Sequence, residues 1–350
     1  MTHLWIRAEQ RDHETRTGIT PQGARQLMDA GVQITVEEST NRVIADVAYA
    51  QAGCTMAPAH SWSDAPHDAI IFGLKELPED DTDLPHRHIM FGHAFKGQPS
   101  GLRLLRRFKA GGGTLLDLEY LTDEHGRRVA AFGYWAGYAG AAVALKCWAA
   151  QRMSRPMARV GAYESSTHLL SDLQTDLLAI GTHRPTALII GALGRVGTGV
   201  ADLCTAMGVA TTKWDMAETA RGAPFPEVLA HDIFFNCVLA RPGTPVFVPA
   251  NTCHMARRLS VISDIACDPD SDFSPIKVYD CATSWDAPAL RVHKDPVLDV
   301  TAIDNLPSML PLESSEDFAE QLLPTLMTLK DDGPIWQRAT AEFEKHQSLV

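Results

Sequence analysis

The 350-residue chain lacks the patterns on which several common chemistries depend. It has seven cysteines but no Cys-x-x-Cys pair and no Cys/His group at zinc-ligand spacing, which argues against dithiol redox chemistry and against a zinc centre. The odd, scattered cysteine count suits a reduced, intracellular protein, so a cytoplasmic location is expected. No Gly-x-Ser-x-Gly, Walker A or His-Glu-x-x-His motif occurs, leaving hydrolase, NTPase and zincin readings without support. Excess positive charge is absent too: 43 acidic residues outweigh 31 Lys and Arg, for a net charge of -12, which argues against nucleic-acid or membrane-surface partners. The first residues carry no apolar run long enough for a secretory leader. One near-continuous apolar stretch, residues 129–150, contains Lys146 and has no second stretch to match it. It reads as a buried helix joining two domains rather than a membrane span. What remains is a chain with 45% hydrophobic residues, long enough for two domains with full cores.

The most informative stretch runs from Ala187 to Asp215. Four apolar residues, Ala187-Leu-Ile-Ile190, precede Gly191-Ala-Leu-Gly-Arg-Val-Gly197. An apolar helical pattern starts at Thr198 and stops at Gly208, and a second strand-like run ends on Asp215. Strand, glycine turn, helix, strand and terminal acid make a dinucleotide-binding βαβ unit. The glycines permit a tight turn and close approach to a pyrophosphate, and the N–H groups opening the helix point at that anion. Asp215 stands about 20 residues after the turn, where a carboxylate meets the adenosine ribose hydroxyls. It would repel a 2′-phosphate, which favours NAD over NADP.

Upstream, strands are expected at residues 3–8, 32–37, 68–74, 88–91 and 113–117, with helices at 20–31 and 41–53. Thr20 followed by Pro21 is the start signal of the first helix. Alternation of this kind implies a parallel sheet, whose ligands bind beyond the carboxyl ends of the strands. Arg7, Lys75, His93, Lys96 and Glu119 stand at those ends. Downstream, an amphipathic helix is expected over 169–180, then strands at 233–238, 259–263 and 302–303, and a helix over 313–329.

Lys75 closes an apolar strand. A desolvated lysine has a pKa lowered toward neutrality and suits acid/base work, whereas a surface lysine would pair with Glu76 or Asp80. His93 can shuttle protons near neutral pH or be a core imidazole bonded to a carbonyl. Arg16, with Arg7 and Arg11 nearby, can fork onto a carboxylate or belong to a solvated charge run. Lys96, Glu119 and the pair Arg127-Arg128 leave similar choices open.

Ile6-Arg-Ala-Glu9, Thr15-Arg-Thr-Gly-Ile-Thr-Pro21, Gly73-Leu-Lys-Glu-Leu-Pro78 and Phe91-Gly-His-Ala-Phe-Lys96 resemble the alanine dehydrogenase/transhydrogenase superfamily. More closely they resemble its NAD-dependent, L-lysine-forming saccharopine dehydrogenase branch. Asp117-Leu-Glu-Tyr120, residues 126–133, the glycine turn, Lys213-Trp-Asp215, Arg221-Gly-Ala-Pro-Phe225 and residues 303–311 extend the resemblance over nearly the whole chain.

The resemblance implies an α/β fold of two Rossmann-like, doubly wound parallel-sheet domains separated by an active-site cleft. Residues 1–131 plus 312–350 would form the catalytic domain and 132–311 the NAD-binding domain. It implies oxidation of saccharopine to L-lysine and 2-oxoglutarate, with Lys75 and His93 as acid/base residues. Arg11, Arg16, Lys96 and Glu119 would contact substrate. Arg128, Gly191, Gly194, Arg195, Val196, Gly197, Asp215, Arg221 and Asp304 would lie along NAD. Fungal members can carry a cysteine at the position of Val196, so no disulfide to Cys237 is expected, and Arg11 stands where they tend to have lysine. A related opine or amino-acid dehydrogenase with another amine donor, and a non-catalytic NAD-binding regulator, are the alternatives. Partners are expected to be small molecules, with the protein a monomer or small homo-oligomer and neither metal, nucleic acid nor membrane involved.

Overall fold

The computed structural model describes residues 1–11 and 13–350; Asp12, in the charged stretch 9–16, lies outside the described residues. The chain divides into two compact units, Met1–Ala131 with Pro311–Val350, and Phe132–Leu310.

In the first unit, strands β1 (His3–Ile6), β2 (Gln33–Glu37), β3 (Thr55–Ala57), β4 (Ile70–Phe72), β5 (Arg87–Met90) and β6 (Thr114–Asp117) form one sheet in the order β3-β2-β1-β4-β5-β6. All the pairings in it are parallel. The order reverses between β1 and β4, the switch point at which such sheets bind ligands. Helix α1 (Pro21–Asp29) begins as its sequence predicts: Pro21 occupies the first turn and the Thr20 hydroxyl accepts the Gly23 N–H at 3.1 Å. Helix α2 (Asp46–Ala52) starts later than the expected residue 41. The preceding backbone is used elsewhere, with Ser39 N–H bonded to the Asp46 carboxylate (2.9 Å) and Val43 N–H to the Thr15 carbonyl (2.8 Å). Helix α3 (Pro99–Gly111) ends on Gly112 in the left-handed region. Strand β3 was not expected; at three residues it is too short to show a period of two.

In the second unit, helix α4 (Gly133–Arg152) is apolar on all sides, with Gly137–Leu145 and Cys147–Ala150 buried. It begins four residues after the start of the apolar run. The Val129 N–H is bonded to the Leu121 carbonyl and the Ala131 N–H to the Gln321 side chain, so those amides are committed to the first unit. No helix of the described residues is long and apolar enough to cross a membrane. Helix α5 (Ser166–Ala179) supplies Asp172 and Asp176, which bind the Lys146 ammonium at 2.7 and 2.8 Å and so satisfy the lysine in the middle of the apolar run.

Strand β7 (Thr186–Ile190), helix α6 (Arg195–Ala206), β8 (Ala210–Trp214), the short helices α7 (Met216–Thr219) and α8 (Pro226–Ala230), β9 (Ile233–Asn236), β10 (Val261–Asp264), β11 (Leu290–Lys294) and β12 (Val297–Thr301) complete the unit. Its sheet order is β11-β12-β10-β9-β7-β8. Five strands are parallel, but β11 pairs antiparallel with β12, so the expected all-parallel sheet carries an antiparallel edge. The last strand lies just ahead of the expected 302–303. The β11 residues are mixed in polarity and only partly buried, and an edge hairpin of that kind gives no continuous apolar signal. Two helices return to the first unit: α9 (Pro311–Leu326), and α10 (Pro334–Gln347), which was not expected although Trp336, Ala339 and Phe343 form its buried stripe.

Helix α6 starts at Arg195, three residues before the apolar pattern begins. Its first turns lie against α4, where large side chains do not fit. A Cβ on Gly137 would stand 1.9 Å from the Val196 carbonyl oxygen, and one on Gly199 would stand 2.0 Å from that of Tyr134.

The first unit's core encloses His88 on β5, fully buried against Trp62 and Phe108, with neither ring nitrogen hydrogen-bonded among the described residues. Burial holds this imidazole well below its ordinary pKa, and the charges of Arg7, His86 and Arg107 add to the shift. The unfolded chain therefore takes up a proton near pH 6.5 that the folded chain refuses, so stability is full above that pH and falls below it. Urea unfolding of the wild type should lose up to ~1.4 kcal/mol per pH unit from this group between pH 6.5 and 5.5, and His88→Phe should flatten that slope. Equal slopes in both proteins would remove His88 as the cause.

Candidate active site

The chain leaves β4 through Gly73-Leu-Lys75, and carboxylates fix this exit. Glu9, just beyond β1, accepts the N–H of Leu74 at 2.6 Å and of Lys75 at 3.0 Å. The Arg7 guanidinium donates to the Lys75 carbonyl and pairs with Glu9 at 3.4 Å. Arg7 lies so close over Gly73 that a Cβ there would stand 2.3 Å from its Nε. Lys75 itself is half-buried. Its charge helps pull the Glu14 carboxyl down and helps lower the His93 imidazole, behind the larger causes of each shift.

His93 follows β5 with its backbone in the left-handed region (φ 49°). Its Nδ1 faces the Glu119 carboxylate at 3.9 Å. Partial burial lowers the imidazole pKa; Glu119 opposes that shift, while Lys75 and Lys96 reinforce it. Glu119, beyond β6, also receives Lys96 at 3.4 Å and Arg128 at 3.1 Å. Arg128, which the resemblance assigns to the cofactor, thus joins the Glu119 cluster of the first unit. The structure brings four expected site residues, His93, Lys96, Glu119 and Arg128, around one carboxylate-centred group.

Arg16 is not part of a solvated charge run. It is buried, and its Nε and Nη2 fork onto the equally buried Glu14 at 2.8 and 2.6 Å. Burial alone would raise the Glu14 carboxyl, but the Arg16 bonds outweigh it and the net direction is down. This pair lines a pocket with Arg7, Glu9, Arg42 and Gly73 at the β1/β4 switch point. Arg11 is exposed and pairs with Glu76 at 3.5 Å, so the acid beside Lys75 is engaged by Arg11. Glu9, Glu14 and Asp117 were not expected to shape the site. Each was visible only as an acid near a strand end, a weak signal until its backbone partners are known.

In the second unit, Gly191 sits at φ 87° and a Cβ on Gly197 would stand 2.2 Å from the Gly191 carbonyl oxygen, so neither position accepts a side chain. Gly194 caps α6 without a side chain, and the first-turn N–H groups at the start of such a helix make a cradle suited to an anion. Asp215 accepts the Leu193 N–H at 3.0 Å and caps α7 through a reciprocal box with Glu218. Its carboxylate thus borders the glycine turn, as a ribose-binding acid must. Arg221 packs its guanidinium over Trp214 and Phe225 and pairs with Glu227. Asp304 is exposed and close enough to help raise the Cys267 thiol to about 12, an effect led by burial. All seven cysteines are free, and no group of three His, Cys, Asp or Glu among the described residues could hold a metal. The cradle, the acid and the missing Cβ atoms fit a dinucleotide.

Residues 5–139 match the family model for the alanine dehydrogenase/PNT N-terminal domain. Over 98% of its length the chain is 43% identical to saccharopine dehydrogenase [NAD(+), L-lysine-forming] of Yarrowia lipolytica, covering 97% of that protein. The chain belongs to the saccharopine dehydrogenase family. The Neurospora crassa enzyme of the same name is 42% identical over 98% of the chain and 96% of its own length. Among solved structures, an L-alanine dehydrogenase shares the fold at a TM-score of 0.69 and 18% identity, covering 99% of this chain and 94% of its own. A transhydrogenase from Sinorhizobium meliloti does so at 0.60 and 15%, covering 93% and 94%. Both carry the two-unit Rossmann-like architecture found here.

Removing Glu14 takes a bidentate acceptor from the buried Arg16 guanidinium. Glu14→Ala should destabilise the protein by ~3–5 kcal/mol in urea unfolding at pH 7. A loss below about 1 kcal/mol, the range of surface pairs, would show that this buried pair contributes no more than an exposed one.

Proposed function

We propose that this protein uses NAD to oxidise the secondary amine of saccharopine and releases L-lysine and 2-oxoglutarate, reversibly. The observation that carries the reading is the near-full-length likeness to relatives of that name in a chain that sets two proton carriers, Lys75 and His93, after the neighbouring strands β4 and β5. The first unit handles protons and carboxylates; the second seats the nucleotide.

A carbon next to nitrogen yields a hydride only when the nitrogen lone pair is free. Lys75, in its neutral form, takes the proton from the secondary ammonium. NAD, held by Gly191, Gly194, Gly197 and Asp215, would supply the hydride acceptor, and the substrate would become a protonated imine. His93 removes a proton as water adds to that imine and returns one to the departing lysine nitrogen as the carbinolamine collapses. An imidazole lowered by burial is neutral at pH 7 and ready for the first of these steps. Arg11, Arg16 and Lys96 are the proposed partners of the substrate carboxylates, and Glu119 balances the positive charge around His93. Gly191, Gly194, Arg195, Val196 and Gly197 would surround the pyrophosphate, Asp215 the ribose hydroxyls, and Arg128, Arg221 and Asp304 the remainder of NAD. A cytoplasmic enzyme, monomeric or a small homo-oligomer, goes with this reading.

Consumption of NADH with 2-oxoglutarate should occur with lysine and not with alanine, ornithine or ammonia. Turnover only with another amine would make the protein a related opine or amino-acid dehydrogenase, and no turnover with any would leave an NAD-binding regulator. Lys75→Met should slow the chemical step by about 10²–10⁴-fold; a wild-type rate would overturn its role. Asp215→Ala should narrow the preference for NAD over NADP measured as the ratio of kcat/KM, and an unchanged ratio would assign that preference to another group.

A further inference from the structure

We propose that Asp117 is a positioning residue that fixes the His93–Glu119 pair by tying the loop after β5 to the loop after β6. Asp117 is fully buried at the carboxyl end of β6. One carboxylate oxygen accepts the Gly92 N–H at 3.1 Å and the other accepts the Glu119 N–H at 2.8 Å. The first bond holds the residue directly before His93, and the second holds Glu119 itself. A single side chain thus sets the spacing between the imidazole and its carboxylate partner.

The surroundings leave little slack. A Cβ on Gly92 would stand 2.6 Å from Leu115 and 3.3 Å from the Asp117 carboxylate, so only glycine passes between them. The next residue, His93, then takes a left-handed backbone that an L side chain rarely adopts unaided. Around the clamp stand Glu119, Lys96, His93 and Arg128. Burial raises the Asp117 carboxyl to about 6, against the pull of its two N–H bonds, and Glu119 adds to the rise. At neutral pH the ionised form, which can accept both bonds, is therefore the major one.

The proposal rests on the reading of His93 as an acid/base group, and its test separates the two. Asn in place of Asp keeps the shape but offers one acceptor, and its amide would meet the other N–H donor to donor. Asp117→Asn should lower kcat for saccharopine oxidation by about 10–100-fold with the KM for NAD unchanged. Introduced beside His93→Gln it should cost less than about 3-fold more, because it acts through His93. The His93 imidazole, assigned by its loss in His93→Gln, should titrate ~0.5 unit lower in Asp117→Asn while the other imidazoles hold. Asp117→Ser serves for the same readouts if the Asn variant does not fold. Fully additive losses, or an unmoved His93 titration, would overturn the proposal and leave Asp117 a structural residue. If the wild type oxidises no saccharopine, the functional reading fails, and the His93 titration alone still decides the role of Asp117.

Discussion

Backbone amides that emerge from the carboxyl ends of parallel strands need acceptors, and in this protein buried or half-buried carboxylates supply them. Glu9 takes two amides after β4, Glu37 takes those of Ala8 and His60, and Asp117 takes those of Gly92 and Glu119. In the second unit Asp215 takes the Leu193 amide, and Asp264 takes that of Cys267 while receiving Asn236 and Tyr279. An unpaired buried N–H is costly, so each carboxylate both satisfies a donor and dictates where the following residue stands. Lys75 and His93, the residues proposed to carry protons, follow two of those fixed exits. The loops are precise because their backbones are bonded, although they lack regular structure.

This division explains what could be read from the sequence. The parallel strands of the central positions are continuous apolar runs, and the glycine turn with its terminal acid has a spacing that few other structures need. Lys75 and His93 were visible because polar residues ending apolar runs are conspicuous. The edges were not. Strand β3 is three residues long, β11 mixes Arg, His and Lys with Leu and Val, and α10 follows the helix at which the chain was expected to return. Nor could the sequence tell Arg16 in a charged stretch from Arg16 buried against Glu14, two residues away, because that choice is settled by the walls around them. The Arg128–Glu119 pair was hidden for the same reason, because the turn between residues 119 and 128 sets it.

The two units use one architectural rule for different ends. In the first, the switch point between β1 and β4 is crowded with paired charges: Arg7 with Glu9, and Arg16 with Glu14. In the second, the equivalent position between β7 and β9 is nearly bare of side chains, with Gly191, Gly194 and Gly197 exposing amide groups instead. Charged side chains suit carboxylates and protons, and bare amides suit a pyrophosphate that must come close.

The contact between α4 and α6 has a consequence for how this chain can change over time. The turn that would grip the nucleotide does not set its own height; the backbone of Gly137 leans on Val196, and that of Tyr134 leans on Gly199. Helix α4 therefore acts as the shim beneath the cradle. Drift toward bulkier residues along that shim would be read out as weaker hold on the nucleotide long before any residue of the glycine turn had altered.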